Sequence, residues 1–163
     1  MPLLINREVV AQDSWQFLDA EATLEQAPQD GDLVVPLALF LEHRAQLVSR
    51  NGRLGVQFNG DDDIEVLLAD LSGLALVAIE FPVFRDGRGF SQARLVRRAG
   101  FTGQLRAVGD VTRDRLDHMQ RCGFDALAVP DDRFKPEVLN AFGEVSVHYQ
   151  AGADDPRPIY RQG

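Results

Sequence analysis

The chain has 163 residues, 45% of them apolar, a formal net charge of −8 and a single cysteine, Cys122. That length suits one ordinary domain able to bury a core without staples, and the composition excludes wholesale disorder, an internal disulfide framework and a cysteine-ligated metal or iron–sulfur centre. A net acidic molecule repels phosphate backbones, which excludes general nucleic-acid binding, and no apolar run approaches the ~18–20 residues that span a bilayer, so a soluble cytoplasmic protein is expected.

Residues 3–18, "LLINREVVAQDSWQFL", hold two short apolar-rich runs. They read as a β-hairpin or an irregular N-terminal cover, with Trp15 packing rather than catalysing. Pro28 and Asp30-Gly31 mark a loop. A strand is expected at "LVVPL", then a helix over "LALFLEHRAQLVSR" ended by Asn51-Gly52. "RLGVQF" is the next strand. In "NGDDDIEVLLADLSG" the Asp62 to Glu65 spacing predicts a capping box and a helix running to Gly73. "LALVAIEF" is apolar throughout, save one glutamate, as suits a strand buried on both faces of a parallel sheet.

After it comes "RDGRGFSQARLVRR", a basic glycine loop entering a helix that ends near Ala99. "GQLRAVG" and "FDALAVP" are further strands separated by the helix "DVTRDRLDHMQRCG"; "KPEVLNAFG" and "EVSVHYQ" supply a last helix and strand. The alternation predicts one α/β domain over residues 1–150, with 3–18 as cover and 151–163 as a flexible tail. The sheet is expected to be largely parallel and built of repeated β/α units. Gly100-Phe101 and Gly123-Phe124 stand at matching places in two such units. A complete eight-unit barrel needs about 250 residues, so the fold is an open sheet or a partial (half) TIM-like barrel. Either leaves an edge that a second copy can cover, so a homodimer is an expectation.

Charge is unevenly spread. Residues 81–121 hold nine arginines against four acids, while the remainder holds 8 basic and 21 acidic residues. Ligands of parallel α/β folds bind beyond the carboxyl ends of the strands, where the basic glycine loop lies. Backbone N–H groups at a helix start and the helix dipole favour an anion there. Arg88, Gly89, Ser91 and Arg94 are the candidate anion-binding residues, with Asp110 orienting an arginine. The bland alternative makes Gly87 and Gly89 a turn and Arg94, Arg97 and Arg98 a solvated face. Glu80 and Asp110, each at a strand end, are the candidate acid–base groups should the chain be an enzyme. His43, His118 and His148 are scattered, and no nucleotide fingerprint, nucleophile elbow or metal-ligand pattern is present, so neither cofactor nor metal is expected.

The segment from Arg88 to Ser91, Ala93-Arg94, Gly100 to Val111 and Cys122 to Asp125 resembles a bacterial domain-of-unknown-function family labelled as an oxidoreductase of sulfite reduction. Asp13-Ser14-Trp15 is also similar. The resemblance implies an accessory role in assimilatory sulfite reduction, with sulfite reductase or its electron donor as partner. The residues themselves carry no siroheme, cluster or nucleotide signature, so a helper of a redox partner fits them better than an electron carrier. Three readings stand side by side: an accessory protein of sulfur metabolism that recognises a small anion, a non-enzymatic docking module for an acidic redox partner or the reductase, and a small-molecule enzyme using Glu80 and Asp110.

Overall fold

The computed structural model describes residues 3–83 and 86–130. The helix expected at 135–143, the strand at 144–150, the tail and Arg85 lie outside the described residues. Eight strands form one sheet: β1 (Leu3–Ile5), β2 (Glu8–Val10), β3 (Trp15–Phe17), β4 (Asp32–Pro36), β5 (Leu54–Asn59), β6 (Leu76–Phe81), β7 (Gln104–Gly109) and β8 (Ala126–Ala128). Their spatial order is β2-β1-β8-β7-β6-β5-β4-β3. From β3 to β8 each strand lies parallel to the next in the chain, and β1 pairs antiparallel with both β8 and β2.

Parallel strands laid down in chain order with crossovers of one hand put every connecting helix on the same side. The connections carry α1 (Leu37–Glu42), α2 (Arg44–Val48), α3 (Glu65–Leu68), α4 (Arg88–Arg98) and α5 (Leu116–Arg121). The strand pleat sends alternate residues to opposite faces. Val77, Ile79 and Phe81 of β6 and Leu105 and Ala107 of β7 join the main core on the helix side. Leu76, Ala78 and Glu80, with Gln104, Arg106 and Val108, take the other face. There the smaller clusters lie: Trp15, Val34, Leu76 and Ala78 at one place, Leu3, Ala126 and Ala128 at another.

That second face is concave. Three strands stand between β3 and β7, which separates them by about 19 Å in a flat sheet. Yet the Arg106 guanidinium on β7 lies 5.4 Å from the ring centre of Phe17 on β3. The sheet is curled into a partial barrel, the half-barrel form of the α/β fold expected from the β/α alternation. Register stacks Gln57, Ala78, Arg106 and Ala126 side by side across the curl, and the two alanines leave room for the guanidinium.

Local differences from the sequence pattern have local causes. The helix expected over 37–50 is broken at His43, whose φ of −123° and ψ of 32° are not helical. The expected capping box at Asp62 does not form. Asp62 Oδ2 accepts the Asn59 N–H at 2.9 Å and Asp63 Oδ1 accepts the Glu65 N–H at 3.0 Å, so the aspartates close tight turns and α3 starts only at Glu65. After Asp110, Thr112 precedes a 3-10 turn at Arg113–Arg115, and α5 follows it. Residues 3–10 form the hairpin, but Trp15–Phe17 is the first parallel strand rather than part of a cover. Trp15 is buried, as expected of a packing residue. No helix among the described residues is long and apolar enough to cross a membrane.

Candidate functional site

Two regions carry chemistry, the outer face of α4 with α5 and the concave face of the sheet. On α4, Gly89, Gln92, Ala93 and Val96 are buried, leaving Arg88, Ser91, Arg94, Leu95 and Arg98 exposed. Arg88 begins the helix but is committed. Its Nη1 donates to Asp61 Oδ1 at 2.7 Å, and its Nη2 and Nε donate to Asp86 at 2.9 and 3.0 Å. The Arg88 backbone N–H also donates to Asp86 Oδ1 at 3.1 Å. The Asp86 carboxylate therefore occupies the helix start, where an external anion was expected, and its hydrogen bonds from Arg88 hold its pKa below the ordinary range. Gly89 serves packing: a Cβ there would come within 2.7 Å of the Phe81 ring.

Ser91 and Arg94 lie one turn apart on the exposed face, and Arg98 follows a turn later with Leu95 (43% exposed) between the arginines. Asp110 stands apart from them, at the end of β7. Its N–H donates to the Phe81 carbonyl at 2.6 Å and its own carbonyl accepts from Arg115 Nη1 at 3.5 Å. Arg115 in turn lies over the Phe81 and Phe90 rings, 5.5 and 5.2 Å from their centres. Of the five sequence candidates, Arg88, Gly89, Ser91 and Arg94 share α4, and Asp110 follows β7.

Beside Arg94, His118 stacks on Phe90 at 4.5 Å between ring centres, and its Nε2 lies 3.8 Å from Cys122 Sγ. Burial, then the positive charge of Arg94, Arg121 and Arg115, lowers the His118 pKa, with Asp117 opposing. Burial raises the Cys122 thiol, with Arg94 opposing. A neutral imidazole beside a protonated, buried thiol is no thiolate nucleophile. No group of three or more His, Cys, Asp or Glu side chains that could hold a metal ion occurs among the described residues.

The concave face holds what the sequence pattern did not single out. The Arg106 side chain is 2% exposed. Its Nη1 and Nη2 donate to Asp13 at 2.6 and 3.2 Å, and its Nη2 and Nε donate to Gln104 Oε1 at 2.8 and 3.2 Å. Asp13 comes from the segment joining β2 to β3, so the ion pair ties that segment to β7 across the concave face. A cavity of about 310 Å³ lies against this network, walled by Leu3, Phe17, Val108 and Ala128 and by Gln57 and Glu80. A second, of about 210 Å³, shares Gln57 and Glu80 and opens at the carboxyl ends of β4 and β5, beside Leu37, Asn59 and Asp62. Glu80 has no side-chain hydrogen bond or ion pair among the described residues. Asp110 lines neither cavity, so the two carboxylates considered as an acid–base pair share neither of them. The available signal for Arg106 was its place in "QLRAVG": a long cation at an inward position of a central strand, flanked in register by alanines.

At the base of the curl Arg53 pairs with Asp32 and lies 4.9 Å over Trp15. Hydrogen bonds from Arg53 and Ser14 bring the Asp32 carboxyl down to about 2. This cluster sits at the amino ends of the strands, where stability rather than chemistry is the usual role.

The sequence model of one family, described as "Bacterial protein of unknown function (DUF934)", matches residues 55–160. The match starts within β5 and takes in α4, β7, α5 and β8. No curated protein and no solved structure matches the chain.

Proposed function

We propose, for a chain that belongs to the bacterial family of unknown function DUF934, an accessory role in assimilatory sulfite reduction, exercised by docking an acidic redox partner on the outer face of α4. The link to sulfite reduction rests on the sequence resemblance in residues 88–125. The docking mode rests on one observation: Ser91, Arg94, Leu95 and Arg98 form an exposed stripe in which two arginines flank an apolar side chain. Arg88, Arg97 and Arg106 do not compete for a partner, because Asp61 and Asp86, Asp125, and Asp13 hold them in turn. Exposed arginines around an apolar spot suit a protein surface, where charge steers the encounter and the apolar contact holds it.

The partner class is the reductase or its electron donor, and the role is non-redox. Affinity capture of purified sulfite reductase by the wild-type chain, at low and high salt, is the test. Capture that weakens with salt and is lost in Arg94→Glu, Arg98→Glu supports the reading. Absent or salt-insensitive capture removes it. A second reading, recognition of a free oxyanion, is favoured by the nearness of Arg94, Arg115 and Arg121 to His118. Calorimetric titration with sulfite, sulfate and phosphate separates the two, because only this reading expects saturable binding that an Arg94→Ala variant lacks.

A further inference from the structure

We propose that the concave face of the curled sheet holds a binding site for a compact organic amine, anchored by the Glu80 carboxylate. The two cavities share Gln57 and Glu80 and together run from the interior of the curl to its rim. Their combined size falls in the range of small-molecule pockets. They open at the carboxyl ends of parallel strands, the end at which curled α/β sheets present their loops to ligands.

Charge decides the class of ligand. The guanidinium that lines the inner cavity is already neutralised, since Asp13 takes two of its N–H groups and Gln104 takes two more. An anion would have to displace Asp13 to reach it. Glu80 stands two residues further along the same face, at the level of Val108, and brings a carboxylate with no protein partner among the described residues. Asp62 adds a second carboxylate at the mouth. The inner cavity therefore presents an uncompensated negative charge to a hollow bounded by Leu3, Phe17, Val108 and Ala128. An ammonium or a strong hydrogen-bond donor meets Glu80, and an apolar body fills the space between Val108 and Ala128. The small side chain of Ala128 is what keeps the hollow open.

The test is an NMR titration of the full chain with 2-phenylethylamine, run beside 2-phenylethanol and 3-phenylpropionate. Such small probes bind in the millimolar range at best. The amine is expected to bind at least ~10-fold more tightly than the alcohol or the acid, as a charge-assisted bond allows, and to shift the amides of Ala78–Glu80 and Arg106–Val108. Glu80→Gln keeps the shape, so it is expected to erase the amine's advantage and leave the alcohol unchanged. Ala128→Leu fills the hollow and is expected to weaken amine and alcohol alike. The proposal is overturned if the acid binds best, if Glu80→Gln binds the amine as tightly as wild type, or if the amine's shifts show no curvature up to ~100 mM. Arg94→Glu, Arg98→Glu should leave amine binding untouched, which keeps this site separate from the docking face.

Discussion

The outer face of α4 and the concave face of the sheet both set an arginine against aspartate, at opposite extremes of solvent access. The Arg88 side chain is 55% exposed and the Arg106 side chain 2%. The first pair is made and screened by water, so it fixes the local shape of a loop more than it stabilises the fold. The second has given up its hydration, and either partner left alone is costly. The same pair of residue types orders a surface turn in one place and braces the curl of a half-barrel in the other.

The largest expected effect comes from stranding the buried cation. Asp13→Ala leaves Arg106 uncompensated inside the curl and is expected to cost about 3–5 kcal/mol in urea unfolding. Arg106→Met should cost less, because the Asp13 carboxylate can turn to water while the methionine fills part of the space. Equal losses from the two would mean that the charge is better hydrated than its burial indicates. Next in size is Gly89→Ala. Its Cβ meets the Phe81 ring, which itself packs on Phe90 and Phe124, so about 1–3 kcal/mol of overpacking is expected from the same measurement.

Two pH effects sharpen the contrast further. His118 has a lowered pKa in the folded state, so the unfolded chain binds more protons as pH falls through its ordinary value near 6.5. Its contribution is intact above that value and is lost as pH falls below it. Arg94→Ala removes a positive neighbour and should raise the His118 pKa in an NMR titration; an unchanged value would place Arg94 away from the ring. Asp32 runs on the acid side. Its carboxyl is lowered to about 2 from 3.8, so the stability it brings is present above 3.8 and is lost as pH falls through about 2. Arg53→Ala should move the acid-unfolding midpoint upward. The smallest effect belongs to Arg88→Ala, which should barely change the thermal midpoint. Gly60→Ala should act on the same contact, because a Cβ there would meet the Arg88 side chain at 2.6 Å.

Much of the fold could be read from apolar runs alternating with helical spacing. β4 to β8 fall where "LVVPL", "RLGVQF", "LALVAIEF", "GQLRAVG" and "FDALAVP" place them. The parallel pairing followed from the buried character of β6. What could not be read was the curl, because curvature is a property of the whole sheet and no single strand encodes it. For that reason Arg106 looked like an ordinary strand residue, although it ends up facing Phe17 with three strands between them. The partners of the basic loop were hidden for a related reason. Gly87, Arg88 and Gly89 were visible, but Asp61 arrives from the neighbouring β/α unit. The aspartates at 61–63 looked like the start of a long helix because their competing bonds to nearby N–H groups depend on the loop they close. Arg94 kept its exposed place because helical spacing alone determines the face on which it falls.

The antiparallel pairing of β1 with β8 sets an order in time. β3 to β8 can each add to the strand made just before, so most of the sheet can assemble in step with synthesis. Leu3 pairs with Ala128, and at about 5–20 residues per second the ribosome needs roughly 6–25 s to make the chain between them. The first strand to leave the ribosome is thus among the last to find its place. Until then the nascent sheet offers an open strand edge along β8 and the bare concave face to any chaperone it meets.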